Sequence, residues 1–188
     1  MSEWGLPRAE SPEQVGLSAK RLERLAGVVR TDVEKKVIPG AVLAIARNGR
    51  LGYAEAFGWR DREAGAPMTA DAIFRVASMT KPITSVAAMM LAEEGRLEIA
   101  APVAQYIPEF AEMTVGVERR KAKRIMTVQD LMRHTSGLTY AQFGDTPVQM
   151  IWRDAKLMDE GQTNAELVAK LAALPLMFEP GTTWEYSM

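Results

Sequence analysis

The stretch Phe74-Arg75-Val76-Ala77-Ser78-Met79-Thr80-Lys81-Pro82-Ile83 constrains this chain more than any other. It reads as the end of a buried extended segment feeding directly into a helix, with Ser78 at the junction and Lys81 one turn later. Side chains at i and i+3 share a helix face, with Cβ atoms about 5–6 Å apart, so a hydroxyl and an amine held there can trade a proton. Ile83, Val86, Ala87, Met90 and Leu91 continue at helical spacing, and Glu93-Glu94-Gly95 supplies a polar exit and a stop. Pro82 falls near the end of the first turn, where few intrahelical N–H bonds are lost. The expectation is a buried helix whose first turn is chemically special.

Lys81 stands among apolar neighbours on a helix with no other charge until Glu93. Burial disfavours the ammonium, which makes Lys81 a candidate acceptor of the Ser78 proton. The first N–H groups of a helix lack partners, and its dipole favours negative charge there. The Ser78 N–H is therefore a candidate donor to an oxyanion forming beside its own Oγ. Taken alone, Ser-x-x-Lys equally describes a capping serine followed by a surface lysine, and it needs context.

Composition removes several classes of function. The 188 residues are 47% hydrophobic and 25% charged with a formal net charge of −1, ordinary for one globular domain with a real core. Near-neutral charge argues against a nucleic-acid-binding face. The cluster Arg119-Arg120-Lys121-Ala122-Lys123-Arg124 is read as a solvated loop. With no cysteine and one histidine, disulfides, thiolate chemistry and a zinc site are not expected. The first residues form no apolar signal-like region and nothing later is long enough to span a membrane, so a soluble, cytoplasmic protein is expected. The twelve methionines read mostly as core filler.

Ser18 caps a helix with apolar positions Leu22, Leu25, Val29 and Val33. Ala41 to Ala46 reads as a strand buried on both faces or nearly so. Asn48-Gly49 is a strong hairpin signal, and Arg50 to Phe57 is the returning strand. Helix, antiparallel hairpin, then the Ser78 helix predict an α+β domain with helices packed on a sheet. Beyond Arg96 the chain reads as helices and loops. Thr127-Val128-Gln129-Asp130 and Thr163-Asn164-Ala165-Glu166 are capping boxes, the second opening a helix with Leu167, Leu171 and Leu174 on one face. A further helix is expected between Pro147 and Asp159, and Thr182 to Tyr186 reads as extended.

His134 invites comparison with the base of a Ser-His-Asp triad. The chain has no Gly-x-Ser-x-Gly elbow, and the nearest serine, Ser136, lies in the same tight turn. The favoured reading is a histidine whose ring bonds local backbone at a helix end.

Three matches stand in one order: Ser78-Met79-Thr80-Lys81, His134-Thr135-Ser136-Gly137-Leu138, and Pro180-Gly181-Thr182-Thr183-Trp184-Glu185-Tyr186-Ser187. Together they resemble the serine β-lactamase-like family, specifically the branch holding class C β-lactamases, D-alanyl-D-alanine peptidases and family VIII carboxylesterases. The resemblance runs from about Leu17 to the end of the chain. It implies Ser78 as the acylated nucleophile, Lys81 as its proton partner and Tyr186 as the phenolic base of a Tyr-x-Asn motif. It implies a small-molecule ester or lactam substrate and no cofactor. Tyr140, just beyond the His134 turn, is a candidate pocket residue.

Met188 stands where lactamases and peptidases of this branch carry Asn. A thioether hardly replaces an amide that hydrogen-bonds a lactam or peptide substrate. The reading therefore moves toward a carboxylesterase on small esters, with a β-lactamase or D-Ala-D-Ala carboxypeptidase as the alternative. A second alternative is a non-catalytic relative or bare fragment. Family members continue to further strands, one carrying Lys-Thr-Gly or a His/Trp-x-Gly variant and the second oxyanion N–H. Residues 1–188 are thus expected to be the N-terminal portion of one catalytic domain. Within it, 1–77 would form the helix and hairpin part, and 78–188 the nucleophile helix and a helical region. Alone, they are expected to be neither an active hydrolase nor a well-folded monomer. The oligomeric state stays open.

Overall fold

Local signals account for most of the elements in the computed structural model, which describes residues 5–140, 142 and 144–187. The chain divides into two compact units between Val76 and Ala77. The architecture is α+β, with an antiparallel sheet and flanking helices.

In the first unit Ser18 accepts the Arg21 N–H and opens α1 (Ala19–Glu34). The buried face of α1 is Leu22 and Ala26, whereas Leu25, expected inside, is exposed. β1 (Gly40–Arg47) and β2 (Arg50–Asp61) pair antiparallel around Asn48-Gly49, both at positive φ as a primed hairpin turn requires. The register runs from Gly40 opposite Gly58 to Arg47 opposite Arg50, with a bulge between Ile45 and Ala46. β3 (Ala66–Pro67) adds a short third strand on the far side of β2. β1 is therefore an edge strand and none of its residues is fully buried, correcting the expectation of a strand covered on both faces. Gly58 has φ 68°, and a Cβ there would meet the Pro39 carbonyl oxygen at 2.6 Å, so only glycine fits where α1 returns to the sheet. The N-terminal stretch is pinned too, because Ala9 donates to the Leu51 carbonyl and Leu51 to that of Pro7.

The second unit opens with a 3₁₀ turn, Ala77–Met79, leading into α2 (Thr80–Glu93). Ser78 thus precedes the helix instead of beginning it, and Pro82 is still inside the first turn. The larger correction is burial. No residue of α2 is buried: Ile83 is 68% exposed, Val86 60% and Met90 57%. The segment leading in is equally open, with Ile73 99% exposed and no strand at Phe74–Val76. Helical periodicity reports which side chains share a face, not whether anything covers that face.

The core of this unit lies elsewhere, around Val103, Phe110, Val115, Met126, Trp152 and Leu176. Trp152 is 1% exposed and its indole N–H donates to the Pro175 carbonyl at 2.7 Å, which lets a polar atom enter the apolar centre. Three reciprocal capping boxes set the helices around it. Thr127 and Asp130 open α3 (Val128–Met132), and Thr163 and Glu166 open α5 (Asn164–Ala172), as expected. Thr146 and Gln149 open α4 (Pro147–Asp154). Between α2 and α3 the chain forms the two-residue strands β4 (Thr114–Val115) and β5 (Arg120–Lys121), in a region read as helix and loop. β5 lies within the basic cluster, which is not simply a solvated loop. Arg120 pairs with Glu179, Lys121 with Glu112 at 2.8 Å, and Arg124 with the buried Asp130 at 2.7 Å. Among the described residues no helix is long and apolar enough to cross a membrane.

Candidate active site

Two segments remote in sequence lie side by side in the second unit. The turn after α3 runs from His134 to Leu138, and the Thr135 and His134 carbonyls accept the Gly181 and Glu185 N–H groups at 2.6 and 2.9 Å. Gly137 makes the approach possible: at φ 86° a Cβ there would sit 2.4 Å from the Phe178 carbonyl oxygen. Asp130 holds the turn from beneath, accepting from the Thr135 hydroxyl, the Thr127 N–H and hydroxyl, and Arg124. Burial pushes the Asp130 carboxyl up, but these donors outweigh it and hold the group below its usual value.

This pairing delivers Tyr186 to Ser78. The phenol donates to Ser78 Oγ at 2.7 Å, and Lys81 Nζ lies 4.9 Å from the centre of the Tyr186 ring. Tyr140 lies near the same ring, its centre 5.9 Å from that of Tyr186. Ser78, Lys81, Thr84, His134, Tyr140 and Met158 border a cavity of about 500 Å³. The structure brings the candidate residues Ser78, Lys81, Tyr140 and Tyr186 near one another, with Ser78, Lys81 and Tyr140 lining the cavity. Met188 lies outside the described residues.

The electrostatics follow from this geometry. The Tyr186 phenol is held below its ordinary pKa by its hydrogen bond with Ser78 and by the Lys81 ammonium, against a smaller opposing effect of burial. A hydroxyl rotates freely, so Ser78 can donate to the phenolate as readily as it accepts from the phenol. A pair poised this way can pass the Ser78 proton to Tyr186, leaving an oxygen nucleophile beside a cation.

The His134 ring bonds Ser187. Its Nδ1 accepts the Ser187 N–H at 3.3 Å and lies 3.2 Å from Ser187 Oγ. The expected bond to local backbone is replaced by one spanning 53 residues. No spacing rule in the sequence signals such a partner. Among the described residues no three His, Cys, Asp or Glu side chains cluster as metal ligands would.

Residues 25–188 match the beta-lactamase family model. The chain belongs to that family. It is 35% identical to Esterase EstB of Burkholderia gladioli over 185 residues, which cover 97% of this chain and 45% of EstB. Among solved structures, EstCE1, a hydrolase with promiscuous acyltransferase activity, matches with a TM-score of 0.76 and 29% identity, over 88% of this chain and 43% of EstCE1. Simvastatin synthase LovD of Aspergillus terreus matches with a TM-score of 0.69 and 25% identity, over 90% of this chain and 45% of LovD. The chain spans under half the length of these relatives. The α+β architecture accords with the β-lactamase-like fold, and membership does not by itself separate esterases from lactamases within it.

Proposed function

We propose that this chain carries the nucleophile region of a serine hydrolase that works through an acyl-enzyme on small carboxylic esters. The observation that carries the reading is the 2.7 Å contact between Tyr186 Oη and Ser78 Oγ, with Lys81 beside the same ring. In the proposed reaction the Tyr186 phenolate, favoured by Lys81, takes the Ser78 proton as Oγ attacks the ester carbonyl. The resulting oxyanion is met by the Ser78 N–H at the entry to α2, where unpaired N–H groups favour negative charge. The carbonyl re-forms and the C–O bond to the alcohol breaks, with Tyr186 returning the proton to the departing oxygen. Water, deprotonated by the same pair, then releases the carboxylic acid and restores Ser78. Tyr140 borders the space for the substrate.

Preference for esters is supported by the 35% identity to a protein named as an esterase and by Met188 in place of the amide of the Tyr-x-Asn motif. The test uses the full-length protein. A fluorophosphonate probe labels Ser78 and Ser78→Ala abolishes labelling; a label that persists, or maps to the buried Ser136, refutes the assignment. Turnover of a short-chain nitrophenyl ester exceeds that of a chromogenic cephalosporin, and the reverse order would make the protein a lactamase.

A further inference from the structure

The serine, lysine and tyrosine leave the one histidine of the chain without a role, yet it touches more of the site than a helix-end residue need do. Its backbone carbonyl accepts the Glu185 N–H at 2.9 Å and its ring Nδ1 accepts the Ser187 N–H at 3.3 Å. These are the residues immediately before and after Tyr186. Its ring lies 4.8 Å from the Tyr186 ring, centre to centre, and meets Trp184 edge-on at 6.2 Å. We propose that His134 is a positioning residue, a two-point clamp that holds Tyr186 over Ser78 and works only as the neutral imidazole protonated at Nε2. This rests on Tyr186 being the proton acceptor for Ser78.

The grip is anchored at every point. Ser187 is 1% exposed, so its N–H has no water to turn to and depends on Nδ1. The Glu185 carboxylate accepts from the buried Thr139 hydroxyl at 3.2 Å, fixing the other end. His134 itself sits at φ 57°, a left-handed conformation that aims carbonyl and ring at the same strand of chain. The Ser187 N–H points at Nδ1 at 3.3 Å and the Ser187 hydroxyl, 3.2 Å away, can donate to the same nitrogen, so the tautomer with its proton on Nε2 satisfies both contacts. Protonating Nδ1 would set two N–H groups against each other and add a second cation beside Lys81. Burial and Lys81 both lower the His134 pKa, in keeping with a ring kept neutral.

His134→Ala removes the acceptor and strains a positive φ, and His134→Asn keeps an acceptor near Nδ1 on a residue that tolerates that φ. On the full-length protein, His134→Ala lowers kcat for a nitrophenyl ester by about 100-fold, the scale of a small misplacement of a reacting group, with KM changed far less. His134→Asn recovers at least tenfold of that loss. Two readouts stand apart from turnover. Ring ¹⁵N signals that vanish in His134→Asn show an unprotonated Nδ1 and a protonated Nε2 at pH 7. The Tyr186 phenol, followed by ¹³Cζ, titrates at higher pH in His134→Ala. A proton on Nδ1, or a Tyr186 titration unmoved by His134→Ala, overturns the clamp even if the protein proves inactive. Wild-type turnover without Ser78 labelling overturns the acyl-enzyme reading instead, leaving the ring signals to judge the clamp.

Discussion

Tyr186 Oη reaches Ser78 Oγ at 2.7 Å across 108 residues of sequence, and Lys81 stands beside the same phenol ring. The contact joins the turn before α2 to the last described stretch of chain. Neither segment forms part of a β-ladder there; the approach depends on the turn after α3, which binds the Gly181–Ser187 backbone.

In the proposed mechanism Lys81 favours the Tyr186 phenolate that takes the Ser78 proton, so the two are expected to act as one unit. Tyr186→Phe and Lys81→Ala should each lower the acylation rate by about 10²–10⁴, the usual contribution of a positioned acid–base group. The double variant should be little worse than either, because residues that act together are not additive. Single-turnover kinetics on the full-length protein measure all three, and losses that multiply would mean the two act separately.

The pH profile follows from the direction of the Tyr186 shift. Its phenolate is stabilised by the hydrogen bond with Ser78 and by Lys81, so the form that the proposed mechanism uses appears below the ordinary value of 10.0 and is lost as pH falls through the lowered pKa. Lys81→Met removes the second cause and should move the acid limb of kcat/KM to higher pH. An acid limb that stays in place in this variant would remove Lys81 from the account.

Asp130 should matter for stability more than for chemistry. Asp130→Asn keeps the shape but loses the charge-assisted bonds to Thr127, Thr135 and Arg124, at a cost of about 2 kcal/mol in urea unfolding at pH 7. The carboxyl is held below 3.8, so the wild-type advantage is full above that pH and disappears as pH falls through the lowered value. A gap between the two proteins that persists in strong acid would contradict this.

The open face of α2 carries a solution signature. Residues 1–188 expressed alone should bind an apolar dye, because Ile73, Ile83, Val86 and Met90 are all more than half exposed. Ile83→Ser with Val86→Thr should reduce the dye signal while shifting thermal unfolding little. Dye binding unchanged in the double variant would place the apolar surface elsewhere.

The sequence by itself determined what neighbours along the chain can decide. Asn48-Gly49 makes its hairpin because both residues accept positive φ, and the Thr127 and Thr163 boxes form because donor and acceptor lie three residues apart. The α+β class follows from the order of these elements. Ser78, Lys81 and Tyr186 stand out in the sequence as motif residues and Tyr140 as a candidate pocket residue, but their distances could not be read there. Only the tertiary structure decided that Ser78 precedes α2 on a 3₁₀ turn, that the apolar face of α2 lies open, and that β1 is an edge strand. It alone decided that Asp130 draws Arg124 out of a basic run, and that His134 bonds Ser187 in place of its own helix end. Each is a pairing or a covering between segments distant in the chain. Periodicity reports which residues share a face and capping reports where a helix starts, but neither carries information about what lies on the other side.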